Sequence, residues 1–252
     1  MRSSSGAILG LALLAGLCTA AAAFAEETPQ ACEVAASLLA SDSPLPKVTQ
    51  AVKDAHSLNI VVAGSRSSTI PSAEANAYPA RLLAYLKERL SSVTVNVSVE
   101  LQIKKTAAEV AAGFVKLLQD KRPTLVIWQT GTVDAMRSVD PEDFRAAVDE
   151  GVATLQKAGT DVILINLQYS PRTESVISAP PYLDNLRVVA QQYDVPLFDR
   201  FAIMQQWNDS GDFDFFSASP GLDLVKRVHD CLGRALSKFV IDAAHLEATQ
   251  QN

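Results

Sequence analysis

The sequence predicts an α/β protein, a three-layer α/β/α sandwich around a mainly parallel sheet of about five strands. Short apolar runs alternate along the chain with longer segments of helical periodicity. Two of these runs, 125–128 and 162–167, are nearly continuous and rich in Val and Ile, as parallel strands covered on both faces are. No internal repeat or linker-like stretch divides the chain, so we expect one folded domain.

The strands are predicted in order along the chain. They are expected at 58–63, 93–99, 125–128, 162–167 and 195–198. The second alternates apolar and polar residues, which is typical of an edge or half-buried strand. Helices are expected at 78–90, 107–118, 141–158, 182–192 and about 222–245. The third of these helices begins with Pro141-Glu142-Asp143 and ends before Gly159, in agreement with the usual start and stop signals.

The first 25 residues are predicted to be a cleaved secretory signal peptide. Arg2 supplies a positive charge, 7–17 is an apolar run, and Ala23-Phe24-Ala25 fits the small-residue pattern of a cleavage site after Ala25. The run is shorter than the roughly 20 apolar residues that span a bilayer. An uncleaved anchor is the alternative. We therefore expect a periplasmic or secreted protein without stable membrane insertion after cleavage.

The remaining chain divides into an N-terminal lead-in at 26–56, a domain at 57–246 and a polar tail at 247–252. Signal cleavage removes Cys18 and leaves Cys32 and Cys231. In an oxidising compartment, two cysteines predict one disulfide. Two buried free thiols are the alternative.

Charge and motifs exclude several classes of function. The formal net charge is −6 and no basic run occurs, which disfavours nucleic-acid binding. No two histidines have metal-ligand spacing, and no Gly-rich phosphate-binding loop is present. We therefore expect no metal and no cofactor.

Polar loops follow the predicted strands. In an open α/β sheet, ligands bind outside the carboxyl ends of the strands. The loops at these ends are 64–69, 129–134, 168–171 and 199–201. This edge of the sheet is therefore the predicted functional site.

The same loops carry a family resemblance. The segments IVVAGSRSST…AYPARL, LVIWQTGTVDAMR, VILINLQYSP and FDRFAIMQQW, in this order, resemble blocks of the SGNH (GDSL-type) hydrolases and of one bacterial branch of them. The resemblance covers about 58–236 and implies a flavodoxin-like SGNH-hydrolase fold. In that family a Ser attacks an acyl ester, a His activates the Ser, and a backbone amide, a Gly amide and an Asn side chain stabilise the oxyanion.

The resemblance leaves the nucleophile ambiguous. Counting forward from Gly64 places Arg66 in the nucleophile position, whereas counting back from Thr69 places Ser67 there. Ser67 is the candidate nucleophile, and an ordinary turn or cap serine is the alternative. The planar guanidinium of Arg66 would suit a carboxylate or phosphate, and an exposed loop arginine is the simpler interpretation.

The oxyanion donors of the family are largely missing. No glycine occurs between Gly64 and Gly113, so the second-block glycine is absent. Val133 replaces the third-block Asn, and its side chain cannot donate a hydrogen bond. Asp134 matches the family's Asp, and we expect it mainly to brace its loop.

The fourth block departs furthest from the family. Counting back from Cys231 places Pro220 in the Asp position and Asp223 in the His position. A carboxylate is a weak base toward a serine hydroxyl at neutral pH. The histidines of the predicted mature chain are His56, His229 and His245. A structural or surface role is expected for each, and His229 is the first alternative base.

Three functional hypotheses follow. The leading one is an exported SGNH-fold protein that has lost catalysis and binds an unknown small ligand or a cell-envelope component. Its binding residues are predicted to be Gly64, Arg66, Gly131, Val133, Asp134 and Gln168. The alternative is an active serine esterase or acyl hydrolase for small acyl or acetylated-saccharide esters, with Ser67 as nucleophile and Asp223 or His229 as base. The third is an interaction protein that docks on an envelope enzyme or polysaccharide.

Overall fold

The computed structural model describes residues 32–216 and 221–246. These residues belong to a single compact unit. The predicted signal peptide, the tail at 247–252 and Pro220 lie outside the described residues. The signal peptide and its cleavage site therefore stay predictions.

The sheet has five parallel strands, and the fold class is as predicted. They are β1 (Ser57–Gly64), β2 (Thr94–Leu101), β3 (Leu125–Gln129), β4 (Asp161–Ile165) and β5 (Leu197–Phe198). Their spatial order is β2-β1-β3-β4-β5, with every pair parallel. Strand β2 lies on one side of β1, whereas β3, β4 and β5 follow one another on its other side. The switch point therefore lies between β1 and β3, where a crevice opens at the carboxyl ends of the strands.

Burial explains which segments became strands. Every residue of β3 and of β4 is buried, as their continuous apolar runs predict. The edge strand β2 is largely exposed or half-buried, which agrees with its alternating sequence. The last strand is shorter than the predicted 195–198. Pro196 has no N–H with which to extend the ladder, although its carbonyl accepts a hydrogen bond from the Leu164 amide.

Eleven α-helices and two short 3₁₀ turns are present in the described residues. The helices are α1 (Ala36–Leu39), α2 (Pro46–Ala55), α3 (Tyr78–Arg89), α4 (Ala107–Ala111), α5 (Phe114–Lys121), α6 (Thr132–Met136), α7 (Pro141–Lys157), α8 (Pro171–Glu174), α9 (Pro180–Gln192), α10 (Arg200–Asp209) and α11 (Leu222–Ala243). The 3₁₀ turns are Arg66–Ser68 and Glu74–Asn76. None of the described helices is long and apolar enough to cross a membrane.

Helices cover both faces of the sheet. On one face α3 packs against α11, and Phe198 of β5 meets Phe239 of α11 with 5.5 Å between ring centroids. On the other face Phe114 of α5 meets Trp128 of β3 edge-on at 4.8 Å. Gly151 of α7 packs directly on the Trp128 ring. The resulting three layers are those predicted from the sequence.

One predicted helix is wrong in its extent. Residues 107–118 form two helices, α4 and α5, which are separated at Gly113. The Gly113 amide bonds to the Val110 carbonyl three residues back, which tightens the turn before α5 begins. Glycine disfavours a helix interior because it loses more backbone entropy than other residues. The lead-in also contains more structure than expected, since α2 lies within 26–56.

The predicted disulfide is confirmed. Cys32 and Cys231 are bonded, with 4.9 Å between their Cα atoms. The bond ties the start of the described chain to α11. Polar contacts reinforce this attachment, because the Glu33 carbonyl accepts hydrogen bonds from the Trp207 indole at 2.9 Å and the Gln206 amide at 3.1 Å.

The close approach of α3 and α11 depends on Gly233. A Cβ added there would lie 3.0 Å from both the Leu82 amide nitrogen and the Tyr78 carbonyl oxygen, which are backbone atoms that cannot rotate away. We expect Gly233→Ala to lower the free energy of unfolding by about 1–3 kcal/mol, despite the higher helix propensity of Ala. Urea unfolding measures the difference. Gly221→Ala, where a Cβ meets open space, is the control and should cost less than about 1 kcal/mol. Equal losses in the two variants would contradict this account of the helix contact.

Candidate functional site

A small cleft opens at the switch point between β1 and β3. It is partly open to solvent, and its empty volume of about 300 Å³ includes this open part. Its lining residues come from the loops that follow β1, β2 and β3. They are Gly64, Ser65, Gln102, Lys105, Val110, Gln129, Thr130, Gly131, Thr132, Val133 and Asp134. The predicted binding residues Gly64, Gly131, Val133 and Asp134 therefore line one cleft.

A serine-rich turn at residues 65–68, here called the serine turn, borders this cleft, and Ser65 is its member in the lining. Residues Arg66–Ser68 are a 3₁₀ turn capped by Ser65, whose backbone amide donates to the Ser68 Oγ at 3.1 Å. Gly64 must be small, because a Cβ there would collide with the Ser68 side chain. Ser68 is buried, whereas Ser65 and Ser67 are partly exposed.

Gln129, the last residue of β3, organises the hydroxyl groups of this turn. Its Nε2 donates to the Ser65 Oγ at 2.5 Å and to the Ser67 Oγ at 2.9 Å. Its Oε1 accepts hydrogen bonds from the Ser68 Oγ at 2.8 Å and from the Tyr78 hydroxyl at 3.1 Å. Each polar atom of this amide is thus used twice, which fixes the turn to the end of β3.

Arg200 lies behind the serine turn as a buried cation. Only 2% of the residue is exposed. Its Nη1 donates to the Ser67 Oγ at 3.3 Å and its Nη2 to the Asn166 carbonyl at 3.1 Å, while its buried Nε has no hydrogen-bond partner in the part of the chain that the structure describes. Burial lowers the pKa of Arg200 to about 10, so the guanidinium stays charged at neutral pH.

The neighbouring Asp199 does not neutralise this cation. Its Oδ1 accepts hydrogen bonds from the Asn166 Nδ2 at 2.6 Å and from the Ala202 amide at 3.0 Å, which caps α10. Its Oδ2 pairs with Arg187 at 3.3 Å. Asp199 therefore positions Asn166 and the start of α10, and its carboxylate forms an ion pair with Arg187.

The surroundings of Ser67 contain donors but no base. Its Oγ accepts hydrogen bonds from the Gln129 Nε2 and the Arg200 Nη1, and the Ser65 Oγ lies 3.2 Å away. No described carboxylate or imidazole forms a hydrogen bond with Ser67. A serine becomes a good nucleophile when a neighbouring base accepts its proton, and a serine hydroxyl that keeps its proton is a poor nucleophile.

The region of the family's oxyanion donors is also altered. Val133 lines the cleft with an apolar side chain. Where the family has its second-block glycine, the Gln102 amide donates to the Gly64 carbonyl at 2.7 Å and the Lys105 amide donates to the Gln102 carbonyl at 3.2 Å. These two amides are used within the fold, and neither points to an oxyanion.

Asp134 braces the loop as expected from its position. The residue is 2% exposed, and its Oδ1 accepts a hydrogen bond from the Ala107 amide, the first residue of α4, at 2.9 Å. Burial raises the pKa of the Asp134 carboxyl, while hydrogen bonds from backbone amides counteract that rise. The carboxylate thus joins the loop after β3 to the one after β2.

Neither candidate base contacts Ser67. Asp223 is exposed in the first turn of α11 and forms no hydrogen bond or ion pair with a described residue. His229 is buried in the same helix, and its Nδ1 accepts a hydrogen bond from the Tyr78 amide at 3.0 Å. Burial, followed by the charge of Arg200, lowers the pKa of His229 to about 4. His229 is therefore a neutral cap on the first turn of α3.

The two remaining predicted binding residues lie at the edges of the site. Arg66 is exposed, and its side chain forms no hydrogen bond or ion pair with a described residue. Gln168 follows β4, and its amide donates weakly to the Thr132 hydroxyl at 3.5 Å. The structure thus puts Gln168 beside the loop after β3, but Arg66 does not supply the cation behind the serine turn.

Comparison with known proteins identifies the family. The non-GDSL lipase-like family matches residues 31–246 of the chain. The chain belongs to this family. This is consistent with the resemblance of its sequence blocks to the SGNH hydrolases. No curated protein matches.

Solved structures similar to this non-GDSL lipase-like protein are esterases. A two-domain esterase active on acetylated mannans matches with a TM-score of 0.67 and 16% identity over 84% of this chain, which spans 57% of that protein. An acetylxylan esterase from Geobacillus stearothermophilus matches with a TM-score of 0.59 and 13% identity, over 77% of this chain and 97% of that one. An esterase from Pseudoalteromonas matches with a TM-score of 0.56 and 15% identity, over 73% of this chain and 98% of that one. At these identities the likeness concerns the fold.

Four residues of the non-GDSL lipase-like site were not singled out from the sequence. They are Tyr78, Gln129, Asn166 and Arg200, which build the hydrogen-bond network behind the serine turn. Gln129 and Arg200 did carry a signal, because Gln129 directly follows the apolar run 125–128 and Arg200 lies two residues after the run 195–198, at the carboxyl ends of predicted strands. In the described residues, no group of three or more His, Cys, Asp or Glu side chains could hold a metal ion.

Proposed function

We propose that this protein is an exported, non-catalytic member of the SGNH superfamily that uses the cleft at the β1–β3 switch point for binding. The observation that carries the proposal is the environment of Ser67. Its Oγ lies against the donors of Gln129 and Arg200 and against the Ser65 hydroxyl. Without a proton acceptor, the serine stays protonated and weakly nucleophilic.

The other parts of the site support the same proposal. The His229 Nδ1 already accepts a hydrogen bond from the first residue of α3, and the Val133 side chain supplies no oxyanion donor. Losses within one catalytic unit are not additive, so their rate penalties are not multiplied. The loss of the base alone is enough to remove serine activation.

Export is proposed from the predicted signal peptide and is supported by the disulfide, since disulfides persist mainly in oxidising compartments. The partner would then be a small ligand or a component of the cell envelope. Pull-down from an envelope extract, with a Gln129→Glu variant as control, tests for an envelope partner that depends on the cleft.

The catalytic test compares the wild-type protein with Ser67→Ala. We expect the two to hydrolyse p-nitrophenyl acetate at the same rate, because Ser67 has no base. Incubation with a serine-reactive phosphonate, followed by intact-mass measurement, should leave the wild-type protein unlabelled. Ser68→Ala is the matched control, since Ser68 is buried in the same turn. A wild-type rate well above that of Ser67→Ala, with stoichiometric labelling, would reject the proposal.

The second candidate function is an active esterase for small acyl or acetylated-saccharide esters. It is favoured by the place of Ser67 in the turn after β1 and by the known activities of the structural neighbours on acetylated mannans and as an acetylxylan esterase. It requires a base that reaches Ser67. Labelling of wild-type protein but not of Ser67→Ala would support it, and loss of labelling in Asp223→Asn or His229→Asn would identify the base.

A further inference from the structure

The charge of Arg200 is uncompensated within the described part of the chain. No described carboxylate forms an ion pair with it, and its hydrogen bonds go to a serine hydroxyl and a backbone carbonyl. Its Nε has no hydrogen-bond partner among the described residues. A buried cation is costly unless an anion accompanies it. The position of Arg200 behind the serine turn therefore favours an anion on the other side of that turn.

The serine turn offers more hydrogen-bond donors than acceptors on its cleft side. Both hydrogens of the Gln129 Nε2 are given to Ser65 and Ser67, and Arg200 adds a second donor to Ser67. The Ser67 hydroxyl can turn its hydrogen toward the Ser65 Oγ at 3.2 Å. One hydroxyl hydrogen is then left over at Ser65, which lines the cleft. That hydrogen is available to an acceptor in the cleft.

A second cation stands at the mouth of the cleft. Lys105 lines it, is exposed, and forms no ion pair with a described residue. Asp134 is the acidic residue of the lining, and its carboxylate is turned toward the Ala107 amide. The cleft thus has a cation at its rim, while Arg200 lies outside the lining and reaches it through the hydroxyl groups of Ser67 and Ser65.

We propose that this cleft binds the carboxylate group of a small monoanion, with Ser65 and Lys105 as direct donors and Arg200 as the buried countercharge. The inference rests on the proposed binding function of the cleft. Of the two hydroxyl groups, which lie 3.2 Å apart, that of Ser65 lines the cleft and that of Ser67 connects it to Arg200, so a carboxylate at Ser65 would lie on the cleft side of this hydrogen-bond chain. A phosphate carries up to two charges and more acceptor oxygens than these donors serve. The carboxylate can belong to a short-chain acid or to a sugar acid.

The test is a titration of the full-length mature protein, followed by ¹H–¹⁵N NMR in a buffer free of carboxylates. Sodium acetate is the probe, acetamide its neutral counterpart, and inorganic phosphate and glucuronate the comparison ligands. We expect saturable acetate-dependent shifts of the Ser65 and Lys105 amides, and no such shifts with acetamide. Tighter binding of glucuronate than of acetate would identify a sugar acid, and the reverse order a short-chain acid.

Two variants and one matched control locate the site. Lys105→Gln should weaken acetate binding about fivefold through the loss of one exposed charge. Lys104→Gln is the control, because Lys104 is the adjacent exposed lysine and does not line the cleft. Gln129→Glu should abolish binding, since a built-in carboxylate beside Ser67 compensates Arg200 and repels the ligand. Circular dichroism verifies that each variant is folded. If Gln129→Glu does not fold, the comparison of Lys105→Gln with Lys104→Gln still decides the test, because both lysines are exposed.

Three results would overturn the proposal. They are equal shifts with acetamide and acetate, equal affinities in Lys105→Gln and Lys104→Gln, and tighter binding of phosphate than of either carboxylate. The ester assay with Ser67→Ala stands apart from this titration. Catalysis by Ser67 together with acetate binding would reject only the non-catalytic function, and absence of both catalysis and acetate binding would reject only the carboxylate site.

Discussion

Reduction of the Cys32–Cys231 disulfide should lower the free energy of unfolding by up to about 5 kcal/mol. The two cysteines are 199 residues apart, so the bond closes a loop that includes nearly all of the described chain. In the chain-entropy view, a long loop restricts the unfolded state most strongly. The loss is an upper value, because measured effects of disulfides are often smaller.

The measurement is urea unfolding of oxidised and reduced protein, together with a Cys32→Ala/Cys231→Ala double variant. The variant should be as unstable as the reduced wild-type protein and should not respond to reductant. The reduced protein should still fold, because Glu33 remains bonded to Trp207 and Gln206 of α10. Mass spectrometry of non-reduced peptides should show the cross-link directly. Two freely alkylatable thiols in protein freshly isolated under non-reducing conditions would refute both the bond and its stabilising role.

The fold could be predicted because its signals are local. The runs at β3 and β4 are short, continuous and rich in Val and Ile, which is typical of strands inside a parallel sheet covered on both faces, and every residue of both strands is buried. The disulfide could be predicted by counting cysteines after signal cleavage. The break at Gly113 could not, because the apolar spacing across 107–118 continues through it and one glycine does not reveal whether a helix is interrupted.

The site was harder to predict because its key contacts join residues far apart in the sequence. The serine turn was identified as a loop, but the sequence does not show that Gln129 binds two of its hydroxyls or that Arg200 lies behind it. Arg66 was the predicted cation because it is in the turn itself. In the structure Arg66 is exposed, and a residue 133 positions beyond Ser67 supplies the buried charge. Comparison with the sequence motifs predicts which of the family's catalytic residues are missing, but only the fold shows which side chains surround Ser67.

His229 should make the protein less stable as the pH falls from about 7 to about 4. In the folded protein, burial and the charge of Arg200 lower the pKa of His229 to about 4. In the unfolded chain its pKa returns to about 6.5. Between these values the unfolded state binds a proton that the folded state does not, so stability is lost as the pH falls through about 6.5 and the loss levels off below about 4. The full contribution is about 3 kcal/mol.

A His229→Asn variant isolates this contribution. Asn can keep the hydrogen bond from the Tyr78 amide, because its Oδ1 replaces Nδ1 as acceptor, but it does not titrate. The variant should be less stable at pH 7 through lost packing, yet its unfolding free energy should fall less steeply between about pH 7 and 4. Burial raises the pKa values of Asp134 and Asp161, which has the opposite effect on stability as the pH falls. These carboxyls remain in both proteins, so the difference between wild type and variant reports His229. His56→Asn, at an exposed position, is the control and should keep the wild-type slope. Parallel pH profiles for wild type and His229→Asn would show that His229 does not stay neutral in the folded protein.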